Sequence, residues 1–287
     1  MGLTFHEYKF LEEVSKKKEF KNILCLGKQE MILTKEDKKK LKLLEKENVN
    51  DQYIDNLLIN KFKANSVKSI DNSSFEGADI IHDMNKPMEN LNEKFDTVID
   101  FGTSEHIFDV AQNLNNISKL CKINGIILHS LPANNNCGHG FWQFSPELFF
   151  SLYSENNGFL ETEIFIFNTH NKYEWWKVEK QKLGERLEIN SDSPLYILVK
   201  TIKKSEVQNK NVQQSDYVER WNDNSINYKN VKKKKLSILW KNIKDNYKKF
   251  LIKIILPNKI SDKLEGKKIL LKNSLENNKN LKKINIL

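Results

Sequence analysis

An α/β fold built on a largely parallel sheet is what this sequence predicts, on three observations. Short apolar, β-branched runs alternate with helical patterns; glycine or an acidic residue closes the runs; and polar loops follow them. Such alternation implies parallel strands joined by right-handed crossovers. Open sheets of this kind hold their ligands beyond the carboxyl ends of the strands, so the loops after the runs are where function is expected.

The elements follow in order. Residues 1–20 read as an N-terminal helix, and residues 22–27 (NILCLG) as a short buried strand ending in Gly27. Thr34 can cap a helical segment over 35–47, and Ile54, Leu57, Leu58 and Phe62 line one face of the next helix. Residues 66–71 (SVKSID) form a strand closed by Asp71, and residues 78–81 another that leads into His82-Asp83-Met84-Asn85. Residues 95–101, apolar around Val98 and Ile99, make a covered strand closed by Asp100 and Gly102. Glu105-His106 then opens a helix whose Ile107, Val110, Ala111, Leu114, Ile117 and Cys121 recur at helical spacing. After Asn124-Gly125 comes a strand over 125–131, then a loop with Asn134, Asn135, Asn136, His139 and Gln143, whose polar side chains beside an apolar scaffold suggest a binding site. Strands over 159–167 and 194–202 complete a domain spanning 21–204. Residues 205–231 read as a polar linker and 232–287 as a basic amphipathic helical tail.

The motifs LGKQ, SIDNSSFEGADIIHDMN, DFGTSEHIFDV and PANNNCGHGFWQFSPELF, in this order over about residues 21–203, resemble a class I S-adenosylmethionine-dependent methyltransferase. More narrowly they are similar to a bacterial methyltransferase-like family associated with sugar and surface-polysaccharide modification. The resemblance implies a Rossmann-like class I methyltransferase sheet whose final antiparallel strand pair places the last strand between its predecessors, here with a helical C-terminal extension. It also implies S-adenosyl-L-methionine as cofactor. Gly27 would let the backbone turn beneath it and Asp71 would accept hydrogen bonds from the ribose hydroxyls. Asp83 would meet the adenine amino group, and Asp100, Gly102 and Thr103 would border the methionine end. The glycine-rich loop usual in the broad superfamily is here Gly27-Lys28-Gln29-Glu30-Met31, so Lys28 or Gln29 would supply side-chain contacts in place of close backbone approach. A degenerate domain that binds no cofactor is the competing reading.

Transfer to a hydroxyl needs in-line positioning and a base. His139, between Gly138 and Gly140, is the leading candidate, set against a histidine that merely bonds its own loop. His106 reads as shaping the pocket at a helix start, with catalysis as its second reading. No metal is expected: Asp100, Glu105 and Asp109 lack a histidine at ligand spacing, so solvation or capping accounts for them. Trp175-Trp176 can stack on a sugar or base, or pack within the domain.

Composition narrows the classes. The 287 residues, 39% hydrophobic, suit one domain of about 200 residues plus an appendage. No apolar run near 20 residues and no secretory h-region are present, and Cys25, Cys121 and Cys137 have no paired spacing; a cytoplasmic protein is expected. The net charge of +9 invites nucleic acid, but Arg186 and Arg220 are the two arginines among 47 basic residues, which makes a nucleic-acid methyltransferase the third reading. In the tail, Leu236, Leu239, Trp240, Ile243, Tyr247, Phe250, Leu251 and Ile254 share a face opposite Lys241, Lys244, Lys248, Lys249 and Lys253. Such a helix can lie on an anionic membrane at the inner face, dock on the core or pair with another subunit. The resulting expectation is O-methylation of a sugar or related glycan precursor. A non-catalytic methyltransferase-like binding module tethered by its basic tail is the runner-up.

Overall fold

The computed structural model describes residues 2–43, 51–89, 93–181, 187–206, 211–214 and 267–286. In chain order the elements are β1 (Gly2–Leu3), α1 (Phe5–Ser15), β2 (Asn22–Leu26), β3 (Glu30–Met31), α2 (Lys35–Lys40), α3 (Asp55–Asn60), β4 (Ser66–Asp71), β5 (Ile80–Ile81) and β6 (Phe95–Phe101). They continue with α4 (Val110–Leu120), β7 (Cys121–Pro132), α5 (Pro146–Leu152), β8 (Phe159–Asn168), β9 (Glu174–Val178), β10 (Leu195–Lys203) and β11 (Leu281–Asn285).

The main sheet runs β11-β9-β8-β10-β7-β6-β2-β4-β5. The pairs from β5 through β7 are parallel, while β10 is antiparallel to both β7 and β8, which flank it. This is an α/β Rossmann-like sheet, with its last core strand inserted between two predecessors. The strand order reverses between β2 and β6, so the loops after β2, β4 and β6 converge at one switch point. Leu24, Leu26, Val98, Ile99, Ile127 and Leu128 are fully buried, as strands covered on both faces require.

Each helix start has its physical cause. Thr4 caps α1 and Thr34 caps α2, each with a reciprocal acid three residues on, Glu7 and Asp37. Asp109 caps α4 by accepting from the Gln112 amide, and Ser145 caps α5 ahead of Pro146. The expectation that Glu105-His106 opens α4 is therefore corrected. Ser104–His106 is a single 3-10 turn, Ile107 is extended, and the helix begins only after its Asp109 cap.

The sheet also extends further than the sequence predicts. Trp175 and Trp176, both buried, lie in β9, and β11 pairs with β9 from Leu281 opposite Val178 to Asn285 opposite Glu174. Ile286 joins the core cluster. The domain thus does not close near Lys204, and the helical reading of 232–287 fails at its far end, where Leu281 and Ile284 serve a strand instead. The rest of that amphipathic segment, 232–256, lies outside the described residues, as do 44–47 of the helix expected over 35–47.

Residues 1–180, 191–212 and 281–287 make one compact unit and 181–190 with 213–280 a second. In the second, Asn190 bridges Ser274 and the Asn273 side chain donates through Nδ2 to the Glu188 carboxylate at 2.8 Å. Among the described residues no helix is long and apolar enough to cross a membrane.

Candidate functional site

Gly27 ends β2 in the left-handed region at φ 67°, and its amide donates to the Ile70 carbonyl at 2.8 Å, fixing the turn against β4. A side chain here would meet the site itself: a Cβ would lie 3.3 Å from Thr103 Oγ1 and 3.7 Å from Asp71 Oδ2. The loops after β2, β4 and β6 therefore bring Gly27, Asp71 and Thr103 together. Thr103 is half-buried, and its hydroxyl donates to the Leu26 carbonyl at 2.7 Å. Gly102 precedes it at φ 89°. Asp71, half-buried, receives the Ser73 amide at 3.2 Å on Oδ1 and no other donor among the described residues, and its Oδ2 lies 3.7 Å from where a Cβ on Gly27 would stand. Asp83 lies after β5, where the Asn85 side chain and amide, with Lys86 behind them, hold its carboxyl below the usual range. Asn85 in turn accepts from the Asp109 amide, tying this loop to the start of α4.

Three residues expected at the cofactor are engaged within the protein instead. Gln29 is buried and donates to the Leu26 carbonyl at 2.6 Å, so it braces the turn; Lys28 pairs with Asp55 at 2.8 Å. Asp100 is fully buried and spent internally. Its Oδ1 accepts the Thr103 and Ser104 amides, and its Oδ2 accepts the Ser104 hydroxyl at 2.5 Å and faces His129 Nδ1 at 2.8 Å. His129 Nε2 meets the Tyr153 hydroxyl at 2.7 Å, also buried, and desolvation followed by the Asp100 charge drives that phenol well above its ordinary range. This chain of three side chains fixes the end of β6 from below. Sequence reading passes over His129 and Tyr153, whose one signal is a histidine within the apolar run GIILHSL.

Beside the turn at Ser104–His106 the loop of residues 133–144 folds back. Gly140 approaches so closely that a Cβ would lie 2.7 Å from the Glu105 carbonyl oxygen, which accepts the Phe141 amide at 2.7 Å and the Trp142 amide at 3.3 Å. Trp142 Nε1 also donates to the Ile107 carbonyl. Asn135 reaches Ser191, Asn136 reaches Leu195, and Gln143 accepts the Asn136 amide. These three side chains, expected to bind a ligand, brace the loop instead.

The fastening sets His139 against Glu105. Nε2 of His139 is 3.3 Å from Glu105 Oε1, and Nε2 of His106 is 3.8 Å from the same oxygen. The two imidazoles stand edge to face at 5.4 Å. Glu105 is fully buried, yet neither of its side-chain oxygens has a hydrogen-bond partner among the described residues, nor does His139 Nε2. Burial first, and the Asp100 carboxylate second, push Glu105 up to about 8. His106 is pushed down by desolvation and then by the neighbouring His139. The expectation of acids without a histidine partner is corrected here, because both histidines reach Glu105 through the turn and the returning loop, which no sequence spacing displays.

A cavity of about 320 Å³ opens beyond, lined in part by Thr4, Glu7, Phe101, Ser130, Phe167 and Tyr196. Tyr196 joins it to the cluster: its ring lies 6.2 Å from His139, and burial, then Glu105 and Glu7, push its hydroxyl up to about 12. Phe108 and Phe141, both exposed, meet edge to face at 5.9 Å, and Trp142, next in sequence to Phe141, is exposed too.

No protein-family model matches the chain, and no curated protein matches its sequence. Among solved structures the chain is similar to the N-methyltransferase NodS from Bradyrhizobium japonicum. The identity is 11% over 70% of this chain and 97% of that one, with a TM-score of 0.39. It is also similar to TehB from Haemophilus influenzae, at 12% identity over 68% of this chain and 62% of that one and a TM-score of 0.39. An S-adenosylmethionine-dependent methyltransferase from Clostridium acetobutylicum gives 12% identity, 69% and 73% coverage, and a TM-score of 0.28. Likeness at this level concerns the path of the chain, not its chemistry.

Proposed function

We propose that this chain is an S-adenosylmethionine-dependent methyltransferase that methylates an oxygen of a sugar or related glycan precursor. The observation that carries the reading is the cradle at Gly27, where a missing side chain leaves room between the Asp71 carboxylate and the Thr103 hydroxyl at the switch point of the sheet. That space suits a ribose against Asp71 and a methionine tail against Gly27, Gly102 and Thr103, with Asp83 placed for the adenine. The cofactor supplies an electrophilic methyl group on sulfur. The protein positions the acceptor oxygen in line and takes the hydroxyl proton. His139 is the proton acceptor: Nε2 is turned to Glu105, leaving Nδ1 for the acceptor.

The acceptor class rests on the sequence resemblance, on a cavity sized for a small molecule and on the exposed ring pair Phe108 and Phe141, which suits the apolar face of a sugar. Calorimetry with S-adenosylmethionine tests the cofactor. Asp71→Ala weakens binding by about 1.5–3 kcal/mol, roughly 10- to 150-fold; unchanged affinity in a folded variant removes Asp71 from the site. Release of S-adenosylhomocysteine with nucleotide sugars, but not with RNA, tests the acceptor. The lysine-rich segment 232–256 supports a cytoplasmic protein held peripherally at an anionic membrane, which co-sedimentation with anionic vesicles at low salt tests.

A further inference from the structure

We infer that Glu105, His106 and His139 form a binding site for one divalent first-row transition-metal ion, zinc(II) in kind. The donor atoms, one carboxylate oxygen and two imidazole nitrogens, all lie within 4.8 Å of one another. Two imidazoles and a carboxylate are a set that zinc, manganese and iron accept with positions left open, and one that magnesium and calcium take poorly. Bonds of about 2.0–2.2 Å around a common centre separate neighbouring donors by about 2.9–3.4 Å. The oxygen of Glu105 stands 3.3 Å from one imidazole nitrogen and 3.8 Å from the other. A small rotation of the exposed His106 closes the larger gap.

The second observation is the state of the donors. Glu105 is fully buried, and its oxygens and His139 Nε2 have no hydrogen-bond partner among the described residues. A buried carboxylate left without partners is costly, and here two imidazole nitrogens lie within 4.8 Å of its oxygen and of each other. The surroundings hold that arrangement. Two donors come from consecutive residues of one turn, pinned through Ser104 to Asp100 at 2.5 Å and to Asn113 at 2.6 Å. The third sits on a loop fastened to the Glu105 carbonyl by the Phe141 amide.

Metal binding stands without the proposed reaction; its consequence for catalysis rests on it. In the zinc-loaded protein His139 is a ligand through Nε2, and the base role given to it above belongs to the metal-free protein. The acceptor hydroxyl occupies an open position on the ion, which lowers its pKa. The O–H bond breaks with its proton passing to water, the O–CH3 bond forms, and the S–CH3 bond breaks to leave a neutral thioether.

The test titrates chelator-stripped full-length protein with zinc chloride by calorimetry, with magnesium chloride as the hard-ion control and S-adenosylmethionine in a parallel cell. One equivalent of zinc is expected. Glu105→Gln and His139→Ala each weaken it by at least the roughly 10–100-fold that loss of an outer-shell partner costs. His170→Ala, on an exposed loop, leaves it unchanged. Melting curves report whether each variant is folded, and Glu105→Gln keeps the shape of the site. Zinc below one equivalent, or binding that survives the Glu105→Gln/His139→Ala pair, overturns the site. Cofactor binding without zinc sinks the metal and leaves the methyltransferase reading, and zinc without cofactor does the reverse.

Discussion

Gly27→Ala separates two effects that one glycine combines. Its φ of 67° lies where an ordinary residue is strained by about 1–2 kcal/mol, and the new methyl would also stand 3.3 Å from Thr103 Oγ1 and 3.7 Å from Asp71 Oδ2. Gly77 provides the control, since it has φ 72° with nothing within 4 Å of a built Cβ. Both variants should lose about 1–2 kcal/mol of stability, roughly 2–8 °C in melting temperature for a domain of this size. Only Gly27→Ala should lose cofactor. A ligand backed away by one methyl forfeits a hydrogen bond to a charged group, about 1.5–3 kcal/mol, or roughly 10- to 150-fold in the dissociation constant. Thermal melts and calorimetry with S-adenosylmethionine read the two effects. Wild-type affinity in a folded Gly27→Ala variant would refute the cradle, whatever its melting temperature.

His139→Ala should lower turnover by roughly 10²–10⁴-fold with cofactor affinity nearly intact, and a parallel loss of affinity would assign the residue to loop structure. Buried His6 accepts from Trp175 Nε1 at 3.0 Å, and its pKa is lowered to about 3, chiefly by desolvation. The unfolded chain then takes up a proton below about 6.5 that the fold refuses, so stability falls as pH drops from about 6.5 toward 3. The loss is about 2 kcal/mol at pH 5, and denaturant melts of wild type and His6→Gln at pH 7 and 5 should show the pH term only in the wild type. Tyr153→Phe leaves His129 Nε2 buried without its partner and should cost about 1–3 kcal/mol, read by the same melts; a neutral result would remove the chain below β6 from the account of stability. Truncation after residue 280 removes β11 and Ile286, exposing the β9 edge, and should lower the melting temperature and raise light scattering.

The sheet was legible because strand burial and strand closure are local. SVKSID and FDTVIDF begin and end where their side chains dictate, and the insertion of β10 followed from the resemblance. What escaped was set by distance along the chain. Glu105 and His139 are separated by a helix and a strand, and they meet because Gly140 has no side chain to hold the loop off the turn. Asp100 and Gln29 carry the right residue types at the expected places, but types do not tell which way a side chain faces: both point inward to brace the backbone. The polar loop misled for the same reason, its amides being spent on its own frame. β11 was hidden because its partner β9 lies far upstream, so pairing rather than local pattern makes it a strand.

The placement of β10 also bears on how the chain reaches its fold. β7 and β8 are both made before β10 but are not hydrogen-bonded to each other, and β10 fills the space between them along nearly its whole length. The half-sheet from β5 to β7 can assemble on its own, whereas β8 and β9 have nothing to join it to until β10 arrives. Closure of that gap demands contacts distant in sequence, the kind that slow folding most. A transient species with the β5-to-β7 half formed and the other half open is the expected intermediate. Its exposed β7 edge would need protection during synthesis, and the buried chain from Asp100 to Tyr153 would be completed only after α5 docks over it.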